Sequence, residues 1–79
     1  MEEKYKNKLY KHTEVFAKNL KIERTSRNLT QKALAECLGI KTQSYQAYEK
    51  GVSLPSAENL IKISIVLGVS LDDLFEIDK

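Results

Sequence analysis

Apolar residues recur along this chain at intervals of three and four, and glycine, proline or a capping residue separates each run from the next. That pattern predicts helices throughout. The most informative run is Thr30 to Gly51, TQKALAECLGIKTQSYQAYEKG. Leu34, Ala35 and Leu38 fall on one helical face, with Thr30 placed to cap its start. Gly39 supplies the backbone freedom that an abrupt change of direction needs, and Ile40 follows as a buried plug. A second helix is expected from about Thr42 to Lys50, stopping at Gly51 as its C′ residue.

On either side the pattern continues. Thr13 to Arg27 carries Phe16, Ala17 and Leu20 on one face, with Thr13 as the expected cap and Glu14 at the positive end of the helix. Downstream, Pro55 fixes the entry to a fourth helix capped by Ser56, with Glu58 in its first turn. Leu60, Ile63, Ser64 and Leu67 form its inner stripe, and Gly68 ends it. Ile61 and Ile65 lie four apart on a face that is ordinarily polar. Either they cover the last helix, or they stand exposed for a partner. Ser70 to Asp73 has the form of a capping box and launches a short helix through Leu74 and Phe75 towards Ile77.

Within the central run, successive residues of the second helix turn by about 100°. Tyr45 and Tyr48 set the inward direction, which leaves Gln43, Gln46, Ala47 and Lys50 outward. That face holds two amides, a cation and a methyl, with no acid and no large hydrophobe. Amides and cations are the groups that read base edges and phosphates; the alternative is a plain solvated face.

Charge adds to this picture once the net +2 is divided along the chain. Residues 18–50 hold seven Lys or Arg against three acids, while residues 56–79 hold two against five. The positive excess therefore sits with the central helices, as suits a protein turning one face to phosphates. The first twelve residues hold four Lys and two Glu. Three arrangements suit them: a basic arm reaching around DNA, an extension of the first helix, or a frayed end without a role. The extension is supported by the helical spacing of Tyr5, Leu9, His12 and Phe16.

Composition excludes several classes. Seventy-nine residues suffice for one small domain, and 42% hydrophobic with 30% charged residues is ordinary for a soluble one. No apolar run approaches a membrane span or a signal-peptide core, and the lone Cys37 suits a reducing cytoplasm. One His, one Cys and no glycine-rich phosphate loop give neither a metal site, a cofactor site nor a nucleophile–base pair, so no enzyme is expected. His12 reads as a surface residue, and Cys37 as partly exposed and chemically silent.

Taken together, Arg24, Leu29-Thr30-Gln31, Leu34-Ala35-Glu36, Leu38-Gly39-Ile40, Glu49-Lys50-Gly51, Pro55-Ser56 and the run from Leu67 to Phe75 resemble the phage-repressor (Cro, XRE-type) helix-turn-helix family of transcriptional regulators. The resemblance implies an all-α, compact five-helix bundle of the lambda-repressor-like type, with the helix-turn-helix in helices 2 and 3. Residues 1–12 would be a basic lead and 13–79 the DNA-binding domain. It also implies sequence-specific binding of double-stranded DNA by a homodimeric repressor on a two-fold operator. The third helix would lie in the major groove, with Thr42, Gln43, Gln46 and Ala47 near base edges. Gln31, Lys41, Ser44 and Lys50 would hold phosphates. Arg24 would pair with Glu49, which lies ~70° from the inward direction. Two copies would meet through the acidic C-terminal half, including Ile61, Ile65, Leu71 and Phe75.

The chain also departs from the family pattern. Asn28 stands where glycine is common, Ala33 where an acid would close a capping box, and Lys41 where a small cap is usual. Val52, Ser53 and Leu54 put no charge in a loop that often lies over the DNA backbone. That loop, with Ile61 and Ile65, supports a second reading: a protein-interaction module of the same fold, antitoxin-like or regulator-binding.

Overall fold

The computed structural model describes residues 2–77, with side chains for 11–77. Five helices follow one another: α1 (Glu2–Thr25), α2 (Gln31–Leu38), α3 (Thr42–Glu49), α4 (Ala57–Leu67) and α5 (Leu71–Phe75). Among the described residues there is no strand. The all-α, five-helix architecture expected from the pattern is the one observed.

α1 is longer than its capping signal implied. It runs without a break from Glu2, so Thr13 lies inside it and not at its start. No glycine or proline interrupts residues 2–12, whose lysines and glutamates are good helix formers. The side chains of Tyr5 and Leu9 lie outside the described residues. At its other end α1 stops at Thr25, leaving Arg27 in the following turn, where it bonds Glu23 at 2.8 Å.

The helices stop by one device. Asn28, Gly39, Gly51, Gly68 and Glu76 adopt left-handed conformations with φ of 57°, 71°, 74°, 65° and 51°. In each case the next amide bonds back to the fifth carbonyl before it, as in Leu29 to Arg24 and Ile40 to Ala35. At Gly39 this closes the tight α2–α3 turn. Among the described residues, three helices begin with side-chain caps: Thr30 accepts from Ala33 N, Ser56 from Asn59 N and Ser70 from Asp73 N. α3 has none, because Lys41 occupies its N-cap position.

The core is built from Phe16 and Leu20 of α1, Leu34, Ala35 and Leu38 of α2, Tyr45 and Tyr48 of α3, Ile63 and Leu67 of α4, and Leu74 of α5. Ile40 is half-buried against it, and so are Leu60, Leu71 and Phe75. Phe75 stacks on Phe16 with ring centroids 4.8 Å apart. Asn19 of α1 clamps the end of α5, donating to the Leu74 carbonyl and the Glu76 carboxylate, each at 2.9 Å. Ser64, on the inner stripe of α4, satisfies its hydroxyl on the Val69 carbonyl at 2.7 Å. α5 ends at Phe75, and Ile77 lies beyond it, exposed.

Ile61 and Ile65 do not cover α5. They are 54% and 74% exposed, and Val66, on another flank of α4, is 40% exposed. Leu71 and Phe75 behave differently, since both pack on the core of their own chain.

Candidate nucleic-acid interface

α2 and α3 pack against each other across the Gly39 turn, and α1 braces α3 from behind. Tyr45 and Tyr48 are buried and meet edge to face, with centroids 6.1 Å apart. Their burial fixes the rotation of α3 and so decides what faces out. Gln43, Ser44 and Lys50 are exposed; Thr42, Gln46 and Ala47 are half-exposed beside them; Lys41 is exposed at the turn. These residues form one acid-free surface. Neither α2 nor α3 carries an acid in its first turn, whereas α4 has Glu58 there and α5 has Asp72 and Asp73. The positive ends of the two central helices are thus not neutralised by their own side chains.

Behind this surface lies a buried polar network centred on Glu49. Arg24 reaches it from α1 in bidentate fashion, Nε to Oε2 at 2.5 Å and Nη2 to Oε1 at 3.0 Å. The two side chains are 10% and 4% exposed. The remaining Arg24 nitrogen donates to the Leu29 carbonyl at 2.7 Å, which ties the α1–α2 turn to the same group. Tyr45 donates its hydroxyl to Glu49 Oε2, and Gln31 Nε2 donates to Oε1 at 3.1 Å. Gln46 Nε2 in turn donates to Gln31 Oε1 at 3.3 Å. Among the described residues no buried side-chain polar atom lacks a partner.

The titration behaviour follows from this geometry. Burial pushes the Glu49 carboxyl up, but the hydrogen bonds from Arg24, Tyr45 and Gln31 outweigh it, and the net position lies below the ordinary carboxylate value. The bond to Glu49 raises Arg24 despite burial. Burial first, and the Glu49 carboxylate second, raise Tyr45. The network is therefore one carboxylate, one guanidinium and a neutral phenol at ordinary pH.

The structure brings Arg24 and Glu49 into contact and leaves Thr42, Gln43, Ser44, Gln46, Ala47 and Lys50 wholly or partly exposed along α3 and its C-cap. Gln31 is placed differently from a free phosphate ligand, because its amide is half-buried between Glu49 and Gln46. Two features were missed in the sequence. Tyr45 and Glu49 are four apart on one helix, a spacing that brings a phenol to a carboxylate and was there to be read. Lys21 of α1 was not singled out, yet it lines a shallow polar depression of about 240 Å³ with Gln31, Gln46, Glu49 and Lys50. Only the packing of α1 on α3 places it there.

The helix-turn-helix family model matches residues 20–74, more than half of the chain. The chain belongs to this family, that of the phage-repressor-like (Cro, XRE-type) regulators, which are DNA-binding proteins and not enzymes. It is similar to the cryptic phage CTXphi transcriptional repressor RstR of Vibrio cholerae serotype O1, 44% identical over 52 residues covering 66% of this chain and 46% of the relative. It is also similar to the HTH-type transcriptional regulator YqaE of Bacillus subtilis, 45% identical over 62 residues, 78% of this chain and 53% of that one. An HTH-type regulator of Methanocaldococcus jannaschii is 43% identical over 56 residues, 71% of this chain and 85% of that protein. The chain spans about half the length of the first two. No solved structure matches it. No helix among the described residues is long and apolar enough to cross a membrane.

Proposed function

We propose that this protein binds double-stranded DNA sequence-specifically and represses transcription, as a homodimer on a two-fold operator, in the cytoplasm at the nucleoid. The observation that carries this is the acid-free outer face of α3, held in one rotation by buried Tyr45 and Tyr48 in a chain of the helix-turn-helix family. In this reading α3 enters the major groove, with Thr42, Gln43, Gln46 and Ala47 at base edges. Lys41, Ser44 and Lys50 meet phosphates, and so does Lys21, which lines the same depression as Lys50. Repression is supported by RstR, whose name is that of a transcriptional repressor.

The dimer would use the exposed apolar pair of α4, Ile61 and Ile65, with whatever surface Leu71 and Phe75 leave free. Two recognition helices would then sit ~34 Å apart, one turn of DNA. Selection of bound duplexes from a random library tests the reading, with a two-fold consensus as the expected result. A protein that enriches no sequence would contradict it. In that case the exposed Val52 and Leu54 of an uncharged loop, together with Ile61 and Ile65, favour the second reading, a protein-binding module of the same fold.

A further inference from the structure

Glu49 dictates which way two glutamine amides point. An ionised carboxylate can only accept hydrogen bonds, and Arg24 holds this one with both of its oxygens engaged. Gln31 approaches Oε1 at 3.1 Å, so the atom it turns there must be its nitrogen. Its own Oε1 then faces Gln46, which must answer with Nε2, at 3.3 Å. Amide orientation is ordinarily inferred from the surrounding network. Here the anchor forces it, because a reversed Gln31 would set oxygen against carboxylate and a reversed Gln46 would set oxygen against oxygen. Lys21 and Lys50 line the same depression but carry only donors, so neither can replace Gln31 as the acceptor. One N–H of Gln46 is committed. Its Oε1 and its second N–H are left for a ligand.

We propose that Glu49, acting through Gln31, is a positioning residue that sets Gln46 to read adenine in the major groove. This rests on the DNA-binding role of α3 given above. Adenine presents an N6 donor and an N7 acceptor, which match the free oxygen and the free N–H of the anchored amide. Guanine presents two acceptors, N7 and O6, and would meet the anchored oxygen with an oxygen. A free glutamine could turn its amide over to suit either base; this one is held.

The test is competition binding on a randomised duplex library, with base preference read position by position. Wild type is compared with Gln46→Ala, Gln31→Met and Gln31→Lys. Gln46→Ala locates the base pair that Gln46 reads. Gln31→Met keeps the length and removes both polar atoms, so the preference for adenine at that pair should fall on the order of tenfold while other positions keep theirs. Gln31→Lys offers only donors, so it should attract the Gln46 oxygen, turn the amide round and move the preference from adenine towards guanine. If Gln31 only touches phosphate, Gln31→Met weakens all sequences alike and neither variant changes the base preference. That result overturns the proposal and leaves the DNA-binding role standing, as does a wild-type preference that Gln46→Ala leaves intact. A wild type with no preference at any position overturns both. A measurement without DNA stands behind these: the Gln46 side-chain amide resonances of the free protein should shift in Gln31→Met, and unchanged resonances also refute the positioning role.

Discussion

Arg24→Met deletes two charge-assisted bonds to Glu49 and one to the Leu29 carbonyl, at 2.5, 3.0 and 2.7 Å. Whether this matters depends on what replaces the guanidinium. The Glu49 side chain is only 4% exposed, so water has little access and the carboxylate is left short of partners. Breaking a buried pair from one side costs about 3–5 kcal/mol, against ~1 kcal/mol or less for an exposed pair. Tyr45 and Gln31 still bond Glu49, which places Arg24→Met near the lower end of that range. Glu49→Gln strands the guanidinium with the Leu29 carbonyl and a weaker acceptor, and falls in the same range.

A chain of 79 residues has a total stability of about 4–12 kcal/mol, so either change should remove a quarter or more of it. Thermal midpoints should drop by on the order of 15–30 °C. The double variant strands neither charge and should be little worse than either single one, giving a coupling energy of about 2–3 kcal/mol. Urea melts of the four proteins measure this, provided the slopes agree. Additive single changes, with coupling near zero, would refute the claim that the two side chains act as one buried unit.

Acid should expose the same group. The folded Glu49 pKa lies below its ordinary value, so its contribution is complete above the unfolded value of ~4.3 and is lost as pH falls through the folded one. Urea melts taken through that window should therefore show wild type losing stability more steeply than Glu49→Gln. On DNA, Gln43→Ala should cost about 1–3 kcal/mol on the preferred site and flatten the preference at one or two base pairs. Lys50→Ala should instead weaken binding to all sequences and shallow the salt slope by about one unit, as library competition at two salt concentrations would show. Ile65→Asp should convert a sedimenting dimer to a monomer that keeps the helical circular-dichroism spectrum of wild type, since Ile65 is 74% exposed in the single chain; a monomeric wild type, free and on DNA, would refute the α4 interface.

Much of this architecture was legible because local chemistry and tertiary packing agree. Thr30, Ser56 and Ser70 cap the helices that their positions announce, and the left-handed residues Asn28, Gly39, Gly51 and Gly68 stop them. The start of α1 was open in the sequence, where an arm, a frayed end and a helix extension all suited residues 1–12, and the extension is the one observed from Glu2. Thr13 is a good cap in the wrong place, because the lysine-rich stretch before it is itself helix-forming and nothing breaks the chain there. The outer face of α3 followed from the two tyrosines, whose burial the helical period requires. The contacts among Glu49, Gln31 and Gln46 did not follow, since residues 15 and 18 apart meet only once the Gly39 turn has set the angle between α2 and α3. Lys21 was hidden for the same reason, being brought to the face by packing alone.

Glu49 is badly placed for α3 taken by itself. A negative charge in the last turn opposes the helix dipole, and an eight-residue helix with no side-chain cap at Lys41 has little stability of its own. Arg24 offsets the charge from another helix, and by doing so makes the orientation of α3 depend on α1. The Tyr45 hydroxyl, itself buried in the core, adds a second tie to the same carboxylate. The stability of α3 thus comes from tertiary contacts at its C-terminal end and inner side. Its N-terminal side chains and most of its outer ones are left uncommitted, Gln46 alone giving one N–H to Gln31. That asymmetry is what a reading helix needs, because groups consumed in holding the helix cannot also be offered to a base or a phosphate. It also means that loss of recognition and loss of stability need not coincide. Substitutions at Gln43 or Lys50 touch only the offered face, whereas those at Arg24 act on the hold alone. Glu49 belongs to the hold and, through Gln31 and Gln46, reaches the face.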